Sequence, residues 1–330
     1  MKRLIELLAV SVVVGVLAEP CFSQAPGIRP PPLRNPELVL AEDGVDSKWL
    51  TYTPPRFDME TQKFIGYFVQ GEKTFRAESP SGLNGTWARE TAVTGGPQSI
   101  VKRGSEFFSF DHHWHPEDGW YHHHVLRSDD GISFAPTGDP VIKSGEDFTV
   151  LYREQQKDFF CYIRPRPPHH QNKDIRKIGL MTSTDFKKWS DVKLVLSPNE
   201  RDHPDKQFYS MSVVHDTKRE TYWGFLNVFQ VKHNEGAPVS SMAGEDNAAR
   251  VQLCNSRDGV QWKRCYGQDN FIEPPPGIYE QFAIASIREP KDCVDIYVLQ
   301  SKNRHNVPGK DFLTVVRYTI TLDELRRYEQ

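Results

Sequence analysis

The segment NSRDGVQW, residues Asn255 to Trp262, contains an Asp258-Gly259 dipeptide of the kind that joins two antiparallel strands. Glycine reaches the positive φ angle that such a turn needs, and Ser and Asp side chains can bond the turn amides. The alternating run ARVQLC precedes this turn, and an aromatic residue follows three residues after the glycine. Related segments are RSDDGISF, TSTDFKKW and SPSGLNGTW, at residues 127–134, 182–189 and 79–87. The recurrence predicts a structural turn, repeated along the chain.

Four strand-like runs fill each interval of this repeat. A short strand is followed by a charged or glycine-containing turn, an aromatic-rich second strand, a third strand ending in Ser, and then the Asp-Gly turn. A unit of about 50 to 75 residues with four strands predicts an all-β fold, a five-bladed β-propeller with four-stranded antiparallel blades. The five units lie near residues 46–93, 98–142, 147–197, 205–272 and 280–322.

The two ends of the chain differ from the repeats. Residues 1–25 combine a positive start, an apolar run and small residues at 23–25, which predicts a signal peptide and export to the periplasm or the exterior. Residues 26–45 are expected to be a proline-rich lead-in, and 46–330 a single propeller domain. The tail TLDELRRYEQ predicts a helix capped by Thr321, with Glu324 three residues on.

Charge and cysteine content limit the partners and the cross-links. The net charge is −3 with both signs mixed along the chain, so no nucleic-acid partner is expected, and no membrane insertion after signal cleavage. A monomer is expected. Cys254 and Cys265 flank the Asp258-Gly259 turn, and whether they are bridged is left open because the register is not symmetric about the turn.

Acidic residues precede the innermost strands of the predicted blades. In a propeller these strands line a central channel, so the residues at their entries converge on one end of it. The entries carry Asp46, Gln98, Asp147, Asp205 with Gln207, and Glu280. Clustered carboxylates push their pKa values apart, which is what glycoside hydrolysis requires of its proton donor and its ionised partner. Asp46, Asp147, Asp205 and Glu280 are therefore the candidate catalytic residues, although acidic residues are also common in turns before strands.

Further side chains near these entries suit a sugar ligand. Trp49, Tyr209 and Tyr279 can stack on sugar rings. Arg153, Arg164 and Arg166 follow the third entry and can bind hydroxyl groups or the carboxylate of an acidic sugar, or be paired within the fold. His203, two residues before Asp205, is the histidine expected nearest the site, and Gln98 and Gln207 complete the predicted substrate-binding set.

These motifs together resemble a known family. IGLMTSTDFKKWS, DHPDKQFYSMSVV, YWGFLNVF, VQLCNSRDGVQWKR and GIYEQFAIAS look like the five-bladed furanosidase-type propellers of glycoside hydrolase families 43 and 32, including bacterial proteins called "glycosyl hydrolase family 32 N-terminal-like". The resemblance implies a base or nucleophile in the first blade and an auxiliary acid and a proton donor in later ones. By position these are Asp46, then Asp147 and Asp205, with Glu280 where those proteins tend to carry Asp. The Trp-x-Asn-Asp-Pro motif is absent, and Gln98 is neutral.

A histidine-rich hairpin lies in the second unit. In DHHWHPEDGWYHHH the HPEDG turn sets His113 opposite His122 on one face, with His112 and His123 on the other. Cross-strand histidine pairs can bind zinc or another divalent ion, and His113 and His122 are the candidates. Alternatively, the histidines lie at the channel rim and bond sugars or water. No cofactor is expected, with a structural divalent cation left open.

Three functions fit these observations. The first is an exported glycosidase that hydrolyses a plant, algal or microbial oligo- or polysaccharide through the carboxylates of the channel. The second is a carbohydrate-binding propeller without activity. The third is a metal-dependent hydrolase or lyase that uses the histidine hairpin.

Overall fold

The computed structural model describes residues 31–41, 48–70, 73–111, 113–115, 117, 120–138, 142–144, 148–165, 175–202, 205–230, 248–265, 269–289, 291–304 and 313–329. The chain is nearly all β, and five sheets form the five blades of a propeller, as the repeats predict. No helix among these residues has the length and apolar character needed to span a bilayer.

The blades, numbered I to V, follow one another along the chain. Before them comes β1 (Glu37–Ala41). Blade I holds β2 (Lys48–Leu50), β3 (Arg56–Asp58), β4 (Lys63–Gln70), β5 (Lys73–Ser79) and β6 (Ala88–Val93). Blade II holds β7 (Val101–Arg103), β8 (Glu106–Phe110), β11 (Val125–Ser128) and β12 (Ala135–Pro136), and a side sheet holds β9 (His113–His115), β10 (Trp120–His123) and β13 (Ile142–Ser144). Blade III holds β14 (Phe148–Arg153), β15 (Asp158–Ile163), β16 (Ile178–Ser183) and β17 (Lys193–Leu196).

The last two blades complete the ring. Blade IV holds β18 (Lys206–Asp216), β19 (Thr221–Gln230), β20 (Ala248–Ser256) and β21 (Lys263–Arg264), and blade V holds β22 (Glu280–Arg288), β23 (Cys293–Ser301) and β24 (Leu313–Thr321). A short helix, α1 (Leu322–Leu325), and one 3₁₀ turn (Arg326–Tyr328) follow. Thr321 caps α1 in a capping box with Glu324, as the sequence predicts.

The N-terminal strand closes the propeller. β1 pairs antiparallel with β24 and becomes the outermost strand of blade V, in the order β1-β24-β23-β22. Glu37 also pairs with the buried guanidinium of Arg317, at 2.7 Å. Residues 37–41 lie within the predicted lead-in and are here part of the propeller, because an edge strand from one end of the chain satisfies the open edge of β24 at the other.

The innermost strands run side by side in the same direction. Between blades IV and V, Asn227 on β19 receives the N–H of Ala283 (2.8 Å) and donates to Ser210 Oγ (2.7 Å). Two residues further along both inner strands, Ser212 Oγ accepts the N–H of Ala285 (2.9 Å). Blade I differs because its inner strand is broken: β2 and β3 pair with opposite ends of β4. Two prolines at residues 54–55, which lack the N–H a strand needs, lie in the break.

The repeated turns pack each blade against the one before it. In blade IV, Ser256 Oγ accepts the N–H of Gly259 (2.9 Å) and Asp258 Oδ1 accepts the N–H groups of Val260 (2.8 Å) and Gln261 (2.7 Å). The carbonyl of Gly259 then accepts the hydroxyl of Tyr162 from blade III (2.9 Å). The turn is therefore structural, as predicted, and it links neighbouring blades.

The four cysteines of the blades are buried, free thiols. Cys254 lies opposite Arg264, whereas Cys265 bonds the carbonyl of Leu253. The two cysteines are thus offset by one residue, and successive residues of a strand point to opposite faces. Accordingly, Cys254 packs in the core between blades III and IV, and Cys265 in the core between blades IV and V. No disulfide joins Cys254 and Cys265.

Candidate functional site

The candidate site is the mouth, which we define as the end of the channel where the inner strands begin. Asp205 immediately precedes β18, and Glu280 is the first residue of β22. Both residues are half-buried. Because the inner strands of blades IV and V run parallel, their first residues lie at the same end of the channel. Asp205 and Glu280 are thus the two predicted catalytic residues that the described structure places at the mouth.

The other two predicted catalytic residues, Asp46 and Asp147, lie outside the described residues, as do Arg166 and His203. For Trp49 only the backbone is described, opposite Val69 in β4.

An ion pair fixes the chain just before Asp205. Asp202 is almost fully buried and receives two bonds from the guanidinium of Arg264, one of them 2.7 Å long. Burial opposes the ionisation of Asp202, but the bonds from Arg264 and the N–H of Asn199 outweigh it, so the pKa of Asp202 is lowered. Asp202 therefore stays ionised and anchors the loop that presents Asp205.

An aromatic cluster forms the wall of the mouth between blades III, IV and V. Tyr209 sits where the β18–β19 register shifts, between Phe208 and Ser210, and such a bulge redirects a side chain. Its ring packs against Phe229 (6.1 Å between centroids) and Phe282 (5.0 Å). Phe282 lies two residues after Glu280 on β22, so the two side chains share one face of the strand.

Two arginines contact the same ring. The guanidinium of Arg164 lies 4.5 Å from the Tyr209 centroid and that of Arg176 lies 5.5 Å from it. Arg164 follows Ile163, which pairs with the first residue of β14, so Arg164 lies at the mouth end of blade III. Arg176 also donates to the buried side chain of Gln207. Arg176 was not predicted from the sequence, where its one signal is its position two residues before β16.

A second arginine pair surrounds Tyr279 at the blade V side. The guanidinium of Arg304 lies 4.5 Å from the Tyr279 ring, and Arg250 Nη1 donates to the Tyr279 carbonyl (2.6 Å). Tyr279 is 38% exposed, so part of its side chain is accessible to a ligand. The described part of the mouth thus combines two carboxylates with aromatic rings and arginines, which suits a hydroxylated or anionic ligand.

Arg153 is not at the mouth. It ends β14 and pairs with Asp158 across the β14–β15 turn, Nε to Oδ1 at 2.7 Å, at the opposite end of the strand from Phe148. It also donates to the hydroxyl of Tyr222 (3.2 Å) and stacks on Phe160. The structure therefore gives Arg153 a packing role between blades III and IV, rather than the predicted contact with substrate.

A cavity of about 600 Å³ opens at the other end of the channel. It is bordered by the ends of the inner strands, including Val213–Lys218 and Ala285–Ile287. His215 borders it and stacks on Tyr222 at 4.0 Å; burial lowers the pKa of His215. None of the predicted site residues that the structure describes borders this cavity.

The histidine hairpin extends from the mouth end of blade II. The N–H of Gln98 donates to the carbonyl of Phe110 (2.9 Å), which places Gln98 beside the root of the hairpin. His113 and His122 are paired in register, as predicted. Their rings pair diagonally, however: His115 stacks on His122 at 3.6 Å, whereas His113 approaches His124 at 5.7 Å. His123 lies on the other face, buried against Phe148 (5.0 Å).

Comparison with known proteins agrees with the fold. No family model and no curated protein matches the sequence of the chain. Among solved structures, an endo-arabinase from Bacteroides thetaiotaomicron has a TM-score of 0.56 at 11% identity, over 87% of this chain and 99% of that one. A thermostable family-43 glycoside hydrolase has a TM-score of 0.55 at 10% identity, over 83% and 90%. An N-acetylgalactosamine deacetylase from F. plautii, in complex with blood group B trisaccharide, has a TM-score of 0.53 at 13% identity, over 91% and 95%.

These similarities confirm the predicted resemblance at the level of fold. The chain is a five-bladed β-propeller of the type found in glycoside hydrolases of families 43 and 32. At 10–13% identity they establish the architecture, and the activity has to be argued from the mouth itself.

Proposed function

We propose that the protein is an exported glycoside hydrolase that cleaves a glycan at the mouth of the propeller. The observation that carries the proposal is the placement of Asp205 and Glu280 at the starts of neighbouring inner strands, beside the aromatic cluster of Tyr209 and Phe282. Glycosidic cleavage needs one carboxyl group that protonates the leaving oxygen and a second, ionised one that acts as base or nucleophile. Asp46 and Asp147, which precede two further inner strands, are proposed to complete the acidic set.

The arginines of the mouth bear on the substrate. Arg164 and Arg176 surround Tyr209, and Arg250 and Arg304 surround Tyr279, so cationic groups border both aromatic platforms. Guanidinium groups bind carboxylates and sulfates in a fork geometry that a neutral sugar cannot fully use. Acidic glycans are therefore among the first substrates to test. Arabinan is tested with them, because the name of one similar structure suggests that substrate class.

The test is a glycan panel assayed by released reducing sugar, with neutral arabinans, xylans and fructans next to uronate-containing and sulfated polymers. Wild type should cleave at least one member. Asp205→Asn and Glu280→Gln should each lower kcat by about 10²-fold or more, because each removes a proton-transfer or nucleophilic group.

The matched control is Glu289→Gln. This exposed carboxylate follows the other end of β22 and borders the cavity away from the mouth, so its loss should leave activity within about twofold. A folded wild type that cleaves nothing and yet retains a glycan on an affinity gel would replace the proposal with the binding function. If Glu280→Gln and Glu289→Gln lowered kcat equally, the result would contradict the assignment of the site to the mouth.

A further inference from the structure

We propose that Asp111, His113 and His124 form a binding site for a divalent transition-metal cation of the zinc type. Asp111 follows the last residue of β8, His113 begins β9, and His124 lies between β10 and β11. One ligand atom from each of the three lies within 4.8 Å of the others. The three residues thus meet at the root of the histidine hairpin, where it leaves blade II.

The separations of the ligand atoms fit a coordination sphere. His113 Nε2 lies 3.2 Å from Asp111 Oδ2, and His124 Nδ1 lies 3.0 Å from Asp111 Oδ1. With metal–ligand bonds of about 2.0–2.2 Å, adjacent ligands are about 3.3 Å apart in a tetrahedral site and about 3.0 Å apart in an octahedral one. A cation can therefore enter with only small side-chain movements.

The backbone holds the carboxylate in place for this role. Asp111 Oδ1 accepts the N–H of His124 (2.8 Å), and the N–H of Asp111 donates to the carbonyl of His124 (3.2 Å). The Asp111 side chain is 13% exposed, so it is supported from several sides. Hydrogen bonds of this kind orient metal ligands and raise their affinity.

The site is also accessible from solvent. The side chains of His113 and His124 are 61% and 38% exposed. Two imidazoles and one carboxylate suit zinc and its first-row neighbours better than calcium or magnesium, and three protein ligands leave at least one position for water or a substrate oxygen. Because Asp111 directly follows Phe110, whose carbonyl binds Gln98, that position lies at the mouth end of blade II.

The same hairpin contains its own control. His115 and His122 occupy the same face but stack on each other, and His115 Nδ1 pairs with Glu117 at 2.5 Å. Neither belongs to the three-residue cluster. His113→Gln and Asp111→Asn should therefore abolish a site that His115→Gln and His122→Gln preserve.

The experiment is a calorimetric titration of the tag-free, EDTA-treated full chain with Zn²⁺, repeated with Co²⁺, whose visible absorption reports its ligands. Wild type should bind one equivalent, and above the dissociation constant its thermal stability should rise with the logarithm of the free metal concentration. Asp111→Asn, His113→Gln and His124→Gln should each weaken binding about tenfold or more, while His115→Gln and His122→Gln stay within about twofold.

Two results would overturn the site. Wild type that binds no Zn²⁺ removes it altogether, and binding that survives His113→Gln but is lost in His115→Gln or His122→Gln assigns the metal to the stacked pair. His113→Gln is the decisive variant because the side chain is 61% exposed, so its loss should leave the fold intact, and circular dichroism checks this. The inference does not depend on the proposed hydrolase: a blank glycan panel with intact Zn²⁺ binding would contradict only the latter.

Discussion

At the turns that close blades II, III and IV, a serine and an aspartate recur with the same hydrogen bonds. Ser128, Ser183 and Ser256 each accept an N–H three residues on, at 2.9 Å. At the mouth, by contrast, each blade presents a different residue, such as Gln98, Asp205 or Glu280. The turn solves the same packing problem in these three blades, so it repeats, whereas a binding site needs different groups around one ligand and does not repeat.

The blade III turn fills the space against the preceding blade in a different way from the turns of blades II and IV. In blades II and IV the turn glycine leaves room for a tyrosine hydroxyl of the preceding blade, and an added Cβ would lie 2.8 Å from that oxygen. In blade III the equivalent residue is Phe186, with φ of 65°. Its ring fills the space between blades II and III, packed against Phe108, Phe110 and Phe159 at 4.9–5.0 Å.

The largest expected effect is therefore at Phe186. Phe186→Ala should lower the free energy of unfolding by about 3–5 kcal/mol, because it empties a fully buried aromatic site. Phe186→Gly should cost about 1 kcal/mol less than the alanine variant, since glycine alone relieves the left-handed backbone. Urea unfolding measures both.

Thr184→Ala, an exposed change in the same turn, is the control and should stay within about 0.5 kcal/mol of wild type. An alanine variant at Phe186 that is more stable than the glycine variant would show that the backbone there is not left-handed. If the folded fraction of either variant kept the activity of wild type, the turn would affect stability alone and not the mouth.

A smaller loss is expected at the blade IV turn. Gly259→Ala should cost about 2–3 kcal/mol, because the new Cβ lies in a left-handed residue and within 2.8 Å of Tyr162 Oη and Phe160. Gly104→Ala, at φ of 57° with open space around it, isolates the backbone part and should cost about 1 kcal/mol. Thermal or urea unfolding measures both losses. If Gly259→Ala and Gly104→Ala lowered the free energy of unfolding equally, the contact of Gly259 with blade III would not contribute to stability.

What the sequence could predict follows the same division between local and distant interactions. The turns, the blade count and the cap at Thr321 depend on residues a few positions apart, and all three were predictable. Strand β1 was not predicted, because its partner β24 lies about 280 residues away and a five-residue strand in which only Val39 is fully buried gives no periodic signal of its own. Whether Cys254 and Cys265 form a disulfide could not be predicted, because the answer depends on the register of β20 and β21 to within one residue.

Site residues could be predicted from the sequence where they lie at the start of a recognisable strand. The positions of Asp205 and Glu280 followed from the sequence, because Asp205 directly precedes the apolar strand β18 and Glu280 begins β22. Their catalytic roles stay a prediction. Arg153 was misplaced because it lies five residues beyond the start of β14, which is the full length of the strand. The contact of Asp111 with His113 and His124 was not predicted, because diagonal pairing of these histidines depends on strand twist, which a one-dimensional pattern does not contain.

The smallest effect concerns the aspartates of the turns. The N–H groups of Ser133 and Ile132 bond Asp130, at 2.7 Å each, and hold its pKa well below the usual value. A pKa lower in the folded than in the unfolded state adds stability above about pH 4. That stability is lost as the pH falls towards the folded-state pKa, so Asp130→Asn should flatten the decline of unfolding free energy between about pH 4 and 2. Asp129→Asn, which removes an 84% exposed carboxylate from the same turn, is the matched control. Because Asp130 is exposed and asparagine keeps one acceptor oxygen, the change in unfolding free energy is small at neutral pH. If the unfolding free energies of the two variants fell with pH at the same slope, the turn aspartate would contribute no more than an ordinary surface charge.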